Sequence, residues 1–280
     1  MLNAEQIKHF SSFFDYDFTK TLPQKKKKYD YLTEDWIADV HAPYYHTDNY
    51  NIATNSNSAM LRILGDFFDM YSKSHFRKTK DINFEKEFRQ AYWLLADTCT
   101  RYEKVYIMLS NHDERFKKWL YDNAPKEVIG IIGTGLNLVE NLLSLIPNLK
   151  IMRHEVEGGR KIGYIAQVEN AVFTHIEKSA KQPGKVVQDI HFEFTGKWKD
   201  HYKLNPYNII VQAHNHISYS GWSGDTRLFQ IPCLIDSTEI AFDYCYSGKL
   251  QGNPAAQGYI KAHKDKNGTY DNYKTHIVDL

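Results

Sequence analysis

The amino-acid sequence predicts a single α/β domain in which two β-sheets pack together. In the first half, two short apolar runs flank a helical pattern between residues 60 and 109, which is typical of a β-α-β unit with parallel strands. The second half contains mostly short strand-like runs and fewer helical patterns. No internal repeat, low-complexity tract or shift in composition divides the chain, whose 280 residues are enough for one large core.

The composition is that of a globular protein with little net charge. Hydrophobic residues make up 42% of the chain and charged residues 25%, and the formal net charge is +1. This balance excludes a global basic field for binding nucleic acid or a membrane, and it leaves a local basic patch open.

Cysteine usage and hydropathy predict a cytoplasmic protein. The three cysteines, Cys99, Cys233 and Cys245, form an odd and sparse set without close pairing, so we expect buried thiols rather than disulfides or a zinc knuckle. No signal peptide is expected, because the N-terminal lysine run is not followed by an apolar stretch. The most apolar region, 128–149, contains glycines and a proline and makes a poor membrane span.

Residues 1–30 are predicted to form an N-terminal extension to a domain over residues 31–280. A short amphipathic helix is expected near residues 4–14, followed by Pro23 and a lysine run at 25–28. The lysines suit either a solvated linker or contact with a phosphate backbone, and the linker is the favoured interpretation.

The first half of the domain carries the clearest secondary-structure signals. Apolar residues recur at spacings near four from Phe84 to Cys99, with charges between them, and predict one amphipathic helix. The segment 44–58 is polar and aromatic and predicts a loop with at most one helical turn. The other elements predicted here are strands over 36–41, 60–64 and 105–109 and helices over 114–121 and 137–145.

The second half is predicted to supply the second sheet. Its strand candidates lie near 151–156, 161–167, 170–174, 208–213, 227–232 and 257–262. A final hairpin is expected around Lys266-Asn267-Gly268, because Asn-Gly favours the turns that join antiparallel strands.

Residues that can bind metal ions follow five of the predicted strands. They are Asp39 and His41; Asp66 and Asp69; Asn111, His112 and Asp113; His175; and His214 and His216. Ligands of open α/β sheets bind beyond the carboxyl ends of strands. The Asp-x-His and His-x-His spacings are expected to place both side chains on one face of an extended segment. Each pattern taken alone suits a turn, a helix cap or a chance surface pair, whereas the ordered set predicts a metal site.

The candidate ligands indicate the kind of metal and the number of ions. Imidazoles, carboxylates and one amide oxygen suit borderline divalent ions such as Mn²⁺, Zn²⁺ or Fe²⁺, and this set is too rich in nitrogen for Mg²⁺ or Ca²⁺. Seven candidate ligands exceed the need of one ion, and a carboxylate shared between two ions would explain the number. The seven are Asp39, His41, Asp66, Asn111, His175, His214 and His216.

In this order the motifs resemble those of the calcineurin-like metallophosphoesterases, and the surrounding sequence is similar to members carried by bacteriophages. The motifs are Ala38-Asp39-Val40-His41, Gly65-Asp66-Phe67-Phe68-Asp69, Ser110-Asn111-His112-Asp113, Phe173-Thr174-His175 and Ala213-His214-Asn215-His216. The resemblance covers residues 36–216. It implies a four-layer α/β/β/α sandwich with two mixed sheets and a dinuclear metal site.

The resemblance also implies a role for each motif residue. Asp39, His41 and His216 would hold a first ion, Asn111, His175 and His214 a second, and Asp66 would bridge both. His112 would protonate the leaving group, and Asp69 would orient His112.

This sequence departs from the family pattern at three places. Ser110 and Ala213 stand where the family usually has glycine, and both replacements are small. Met70-Tyr71 follows Asp69, where protein phosphatases of the family have Arg-Gly, which counts against a protein Ser/Thr phosphatase.

The function implied by the resemblance is hydrolysis of a phosphate ester by a hydroxide that bridges two divalent ions, foremost Mn²⁺, with Zn²⁺, Fe²⁺ or Ni²⁺ as alternatives. A phosphodiesterase or nuclease acting on nucleic acid or a nucleotide is the first hypothesis, and a phosphomonoesterase for a metabolite or phosphoprotein is the alternative. A non-catalytic interaction module is disfavoured because every ligand is retained. Arg115, with Lys73, Arg77 and Lys78 nearby in sequence, is a candidate contact for the substrate phosphate. The oligomeric state is left open.

Overall fold

The structure is a computed structural model that describes residues 12, 28–74, 81–127, 138–156, 160–162, 164–180, 182–196, 199–236, 238 and 255–280. The predicted helix near residues 4–14 lies almost entirely outside these ranges, as do most of the lysine run, Arg77, Lys78 and Cys245. The division into an extension and one domain over 31–280 therefore stays a prediction.

The described residues form strands and helices in the predicted α/β pattern. The strands are β1 (Asp30–Ile37), β2 (Ser58–Leu64), β3 (Lys104–Met108), β4 (Leu149–Ile151), β5 (His154–Val156), β6 (Arg160–Ile162), β7 (Ile165–Val168), β8 (Ala171–Thr174), β9 (Ile209–Gln212), β10 (Tyr219–Ser223), β11 (Thr226–Gln230), β12 (Gly258–His263) and β13 (His276–Asp279). The helices are α1 (Thr47–Thr54), α2 (Phe84–Thr100), α3 (Arg115–Asn123), α4 (Leu138–Leu143), α5 (Lys185–Thr195) and α6 (Lys199–Tyr202), and a short 3-10 helix spans Tyr71–Lys73.

Two mixed sheets carry the fold, as predicted. The first has the order β13-β12-β1-β2-β3-β4, in which β1 to β4 are parallel and β12 and β13 are antiparallel to their neighbours. The second has the order β10-β11-β9-β8-β7, with β8, β9 and β11 parallel and the edge strands β7 and β10 antiparallel. The predicted β-α-β unit is confirmed, because α2 connects the adjacent parallel strands β2 and β3.

Alternating strand residues create three apolar interfaces and hence four layers. On β1, Ile37 faces a cluster that includes Tyr92 and Leu95 of α2, whereas Trp36 faces the space between the sheets. There the ring of Trp36 meets Phe173 of β8 edge to face, with centroids 4.9 Å apart. A third cluster packs α5 against the outer face of the second sheet. The order of layers is therefore helix, sheet, sheet, helix.

The longest helix forms where the apolar spacing predicts it. The Asn83 side chain accepts a hydrogen bond from the Lys86 N–H at 3.0 Å and caps the first turn of α2. Glu85 and Glu87 in that turn complement the helix dipole. The prediction of a helix from Phe84 onwards is confirmed.

The sequence patterns missed or misplaced several elements. Helix α1 occupies the segment predicted as a loop, because the side chain of His46 accepts a hydrogen bond from the Asn49 N–H at 3.4 Å and acts as an unusual cap. Helix α5 and the edge strand β10 were not predicted individually. Strand β1 starts and ends earlier than the predicted 36–41. No helix in the described part of the chain is long and apolar enough to cross a membrane.

Candidate metal centre

The candidate ligands converge where the carboxyl ends of the parallel strands in both sheets meet. The loops after β1 and β9 bring Asp39, His41 and His216 together, with ligand atoms within 4.8 Å of one another. The loops after β2, β8 and β9 bring Asp66, His175 and His214 together within the same distance. These two groups contain six of the seven candidate ligands.

Two carboxylates lie between the groups and face imidazoles from both. Asp66 Oδ2 is 3.1 Å from His175 Nε2 and 3.9 Å from His41 Nε2. Asp39 Oδ1 is 3.3 Å from His216 Nε2 and 3.8 Å from His175 Nε2. The nitrogens and oxygens thus point towards a shared space, as the ligands of a metal site do.

Asn111, the seventh candidate ligand, lies in the loop after β3. The backbone N–H of the next residue, His112, donates to Asp66 Oδ1 at 3.1 Å, which ties this loop to the second group. The Asn111 Oδ1 atom is buried and has no hydrogen-bond partner among the described residues.

The ligand loops use a backbone conformation that the sequence patterns did not predict. Asp39 and His41 have φ angles of 50° and 52°, and His214 and His216 have φ angles of 80° and 54°. The left-handed region is uncommon for residues with a side chain and is incompatible with an extended strand. The expectation that Asp-x-His and His-x-His share a face by strand alternation is therefore wrong, since tight turns aim these side chains at the centre.

Buried polar atoms at the centre fit divalent cations. Asp39 Oδ1 and His175 Nε2 are buried without a properly aligned hydrogen bond among the described residues. His175 donates its Nδ1–H to the Leu64 carbonyl at 2.8 Å, which leaves the Nε2 lone pair facing Asp66. Unpartnered buried acceptors cost free energy unless something positive binds them. The donor set therefore suits a borderline divalent metal.

The pKa shifts of the histidines and carboxylates at the centre show that the buried carboxylates attract positive charge. Burial lowers the pKa of His175, but the Asp66 and Asp39 carboxylates outweigh it and raise the pKa to about 10. Burial also opposes ionisation of Asp66, yet His112 and His175 hold its pKa well below the usual range. Burial and then the charge of His175 lower the pKa of His214 to about 4. A proton on His175 supplies the charge that a divalent cation would supply in its place.

Gly65 and Ser110 allow the β2 and β3 loops to approach closely. Gly65 has a φ of 95°, and a Cβ atom there would lie 2.4 Å from His175 Nδ1. The Ser110 hydroxyl accepts from the Asp66 N–H at 2.6 Å and also donates to the Asp66 carboxylate. Ser110 thus binds Asp66 through its hydroxyl, a contact that a glycine at this position could not make.

Asp113 is a site residue to which sequence reasoning gave no role. Its carboxylate accepts hydrogen bonds from the N–H groups of Asp66, Phe68 and Ser110 at 3.1, 2.9 and 2.9 Å. Burial and the neighbouring Asp66 raise the pKa of Asp113 to about 7. Asp113 fixes the loop that presents Asp66, and its place in the Asn-His-Asp motif was the available signal.

Two buried glutamines, at the ends of β9 and β11, form hydrogen bonds around the His-x-His loop. Gln212 donates to the Ile176 carbonyl at 2.9 Å, and its Oε1 accepts from the Thr174 hydroxyl at 2.6 Å. Gln230 donates to Asn215 Oδ1 at 3.3 Å. In addition, Asp39 Oδ2 accepts from the His214 N–H at 3.0 Å. The loops after β1 and β9 are thus joined by direct contacts.

Asp69 binds two imidazoles and a guanidinium. Its Oδ1 accepts from the Nδ1–H groups of His41 and His112, each at 2.8 Å. Arg115 donates to the Asp69 carbonyl at 2.9 Å and to His112 Nε2 at 2.8 Å. His41, Asp69 and His112 also have the spacing of a third metal group. However, the Nδ1–H groups of both histidines already donate to the Asp69 carboxylate, so the three residues form a hydrogen-bonded unit.

The centre opens to solvent on one side. The side chains of Asp39, Asp66 and His175 are at most 1% exposed, whereas His216 is 19% exposed. Among these four side chains, solvent therefore reaches the centre most readily at the His-x-His loop. Tyr44 and Tyr71 pack together near the Asp69 loop.

Comparisons with known proteins return similar structures but no family. No family model matches the chain, and no curated protein matches it. Wild-type Vps29 complexed with Zn²⁺, from Entamoeba histolytica, has 9% identity and a TM-score of 0.40, with 89% of this chain and 99% of that chain covered. An archaeal phosphodiesterase has 12% identity and a TM-score of 0.39, with 89% and 100% covered. A predicted phosphoesterase from Streptococcus pneumoniae has 10% identity and a TM-score of 0.33, with 89% and 98% covered. At these values the assignment of function rests on the side chains of this chain.

Proposed function

We propose that the protein is a calcineurin-like, metal-dependent phosphoesterase with two divalent ions, and that it acts on phosphodiesters of nucleic acid or a nucleotide. The observation that carries the proposal is the convergence of two ligand groups around Asp66, whose Oδ2 faces His41 and His175. Asp39, His41 and His216 would hold one ion, Asn111, His175 and His214 the other, and Asp66 would contact both. Two such ions would activate water for attack at phosphorus and neutralise charge on the phosphoryl oxygens.

His112 would supply the proton that the leaving group needs. His112 donates at Nδ1 to Asp69 and accepts at Nε2 from Arg115, so its imidazole is neutral in this arrangement. Burial lowers the pKa of His112, and the charge of Arg115 lowers it further. A phosphate oxygen that binds the Arg115 guanidinium would draw it away from Nε2, and that nitrogen would then take up a proton from solvent and pass it to the leaving oxygen.

The ligand chemistry favours Mn²⁺, with Zn²⁺, Fe²⁺ and Ni²⁺ as alternatives. The cytoplasmic location stays a prediction. A phosphomonoesterase is the second candidate function, because Arg115 beside the centre suits a terminal phosphate as well as a diester.

The test combines metal analysis with two chromogenic substrates. Protein purified without chelator should contain two divalent ions per chain and hydrolyse bis(p-nitrophenyl) phosphate with Mn²⁺ faster than p-nitrophenyl phosphate. Arg115→Gln should raise KM for the diester while leaving the metal content unchanged. Faster turnover of the monoester would favour the second candidate, and a chain that binds no metal would end the proposal.

A further inference from the structure

The ammonium group of Lys73 lies over two aromatic rings. Lys73 Nζ is 4.0 Å from the ring centroid of Trp119 and 4.9 Å from that of Phe84. Among the described residues, these two rings are the recorded contacts of the Lys73 ammonium group. Ring faces attract a cation but do not neutralise its charge.

Helix α3 connects this cation to the proposed catalytic residues. The helix begins at Arg115, whose guanidinium contacts Asp69 and His112. Trp119 follows Arg115 by four residues and so lies on the same face, roughly 5–6 Å further along the helix. Arg115 and the Lys73–Trp119 pair thus form a strip of positive and aromatic groups that leads away from the candidate metal centre.

The strip is held in place on both sides. The N–H groups of Tyr71 and Ser72 donate to the buried Glu87 carboxylate at 2.6 and 3.1 Å, which fixes the short helix that carries Lys73. On the other side, Trp119 stacks on Phe116 at an interplanar angle of 13°. Phe116 in turn stacks on Phe84, with centroids 4.7 Å apart.

We infer that Lys73 and Trp119 form a second subsite, which binds the phosphate and base of the nucleotide next to the scissile linkage in a single-stranded nucleic acid. This inference rests on the proposed function and specifies its substrate. Proteins that bind single-stranded nucleic acid combine positive side chains along the backbone with aromatic rings on which the bases stack. A small monoester bound at the ions and Arg115 would not reach Lys73 or Trp119.

Binding is tested first, without turnover. Metal-loaded protein is titrated into fluorescent phosphorothioate oligothymidylate or oligouridylate of about ten nucleotides, and anisotropy is recorded. Lys73→Gln and Trp119→Ala should each weaken binding about tenfold, Trp119→Phe should lose less, and Lys73→Gln should lower the slope of log Kd against log salt by about 0.7.

Two variants provide matched controls. Lys104→Gln removes an exposed lysine at the opposite end of β3, and Trp222→Ala removes a 41%-exposed tryptophan that also has a cation, Arg227, over its ring. Both should bind the oligonucleotides like the unchanged protein. Thermal unfolding of every variant checks that the fold is intact.

Turnover separates the subsite from the proposed function. The ratio of kcat/KM for an oligonucleotide to that for bis(p-nitrophenyl) phosphate should fall at least about fivefold in Lys73→Gln and Trp119→Ala. Equal losses on both substrates, oligonucleotide binding as tight as that of the unchanged protein, or no binding by the unchanged protein would overturn the subsite. Failure to hydrolyse either diester, with the binding differences present, would instead overturn the proposed function and leave the subsite standing.

Discussion

The Oδ1 atom of Asp69 lies 2.8 Å from Nδ1 of His41, so the carboxylate expected to orient His112 also orients a candidate metal ligand. The same oxygen accepts from His112 at 2.8 Å. Asp69 therefore links the ligand set to the proposed proton donor. A carboxylate behind an imidazole fixes its tautomer and raises its basicity, which strengthens metal binding.

This shared contact predicts different outcomes for two variants. His112→Gln should lower kcat about 10²–10⁴-fold and keep the metal content, because only the proposed proton donor is lost. Asp69→Asn should lower kcat and also weaken metal binding about 10–100-fold, because His41 loses its orienting carboxylate. Metal analysis and titration calorimetry give the affinities, and Asp122→Asn, at an exposed position on α3, is the control. Equal metal affinity in the Asp69 and His112 variants would contradict the double role.

Asp66→Asn should empty both proposed metal positions together. Its Oδ2 faces His175 and His41, which belong to different ligand groups. Loss of one carboxylate charge between two cations removes attraction for both. Asn111→Ala, by comparison, should affect one position only. Metal stoichiometry by mass spectrometry checks both variants, and an Asp66→Asn protein that retains two ions would rule out the bridging role.

Gly65→Ala should disrupt the centre by a steric clash. The new Cβ would lie 2.4 Å from His175 Nδ1 and 2.7 Å from Ser110 Oγ. We expect a loss of about 1–3 kcal/mol in the free energy of unfolding and a large loss of metal affinity. Gly268→Ala is the matched control, because Gly268 also has a positive φ, 88°, but no atom lies within 4 Å of its Cβ position. If both variants lost stability and metal affinity to a similar extent, backbone strain alone would explain the loss.

Acid should destabilise the fold through Glu34, which lies buried between the sheets. Burial raises its pKa, but Arg62 and Lys264, at 2.7 and 2.6 Å, outweigh burial and lower the pKa to about 2. A lowered pKa stabilises the fold above the ordinary value near 4.5, and this contribution is lost as the pH falls towards 2. The shift corresponds to about 3 kcal/mol.

Urea unfolding in chelator, which keeps metal ions out of the comparison, measures this contribution. Glu34→Gln should unfold more easily than the unchanged protein at pH 6, and the difference should shrink below pH 4.5. Glu85→Gln removes an exposed carboxylate that pairs with Arg89 and should show no comparable pH dependence. A difference between Glu34→Gln and the unchanged protein that stays constant down to pH 2.5 would contradict the lowered pKa.

Local patterns were sufficient to predict much of this protein. Apolar spacing predicted α2 and the parallel pair β2 and β3, because the periodicity of a buried face is written along the chain itself. The same patterns predicted which side chains follow the strands, from Asp39 to His216. They did not predict α1, whose cap is a histidine, or β10, an edge strand that is polar and contains a glycine.

Contacts between distant parts of the chain could not be read from those patterns. The Asp39 carboxylate binds the His214 N–H across 175 positions, and Asp69 meets His112 across 43. These contacts depend on how the two sheets pack and on the left-handed turns that place Asp39 and His41 beyond the end of the strand. Composition and periodicity describe neighbours along the chain, whereas the geometry of a site is set by strand register and layer packing, which act only once the whole chain has folded.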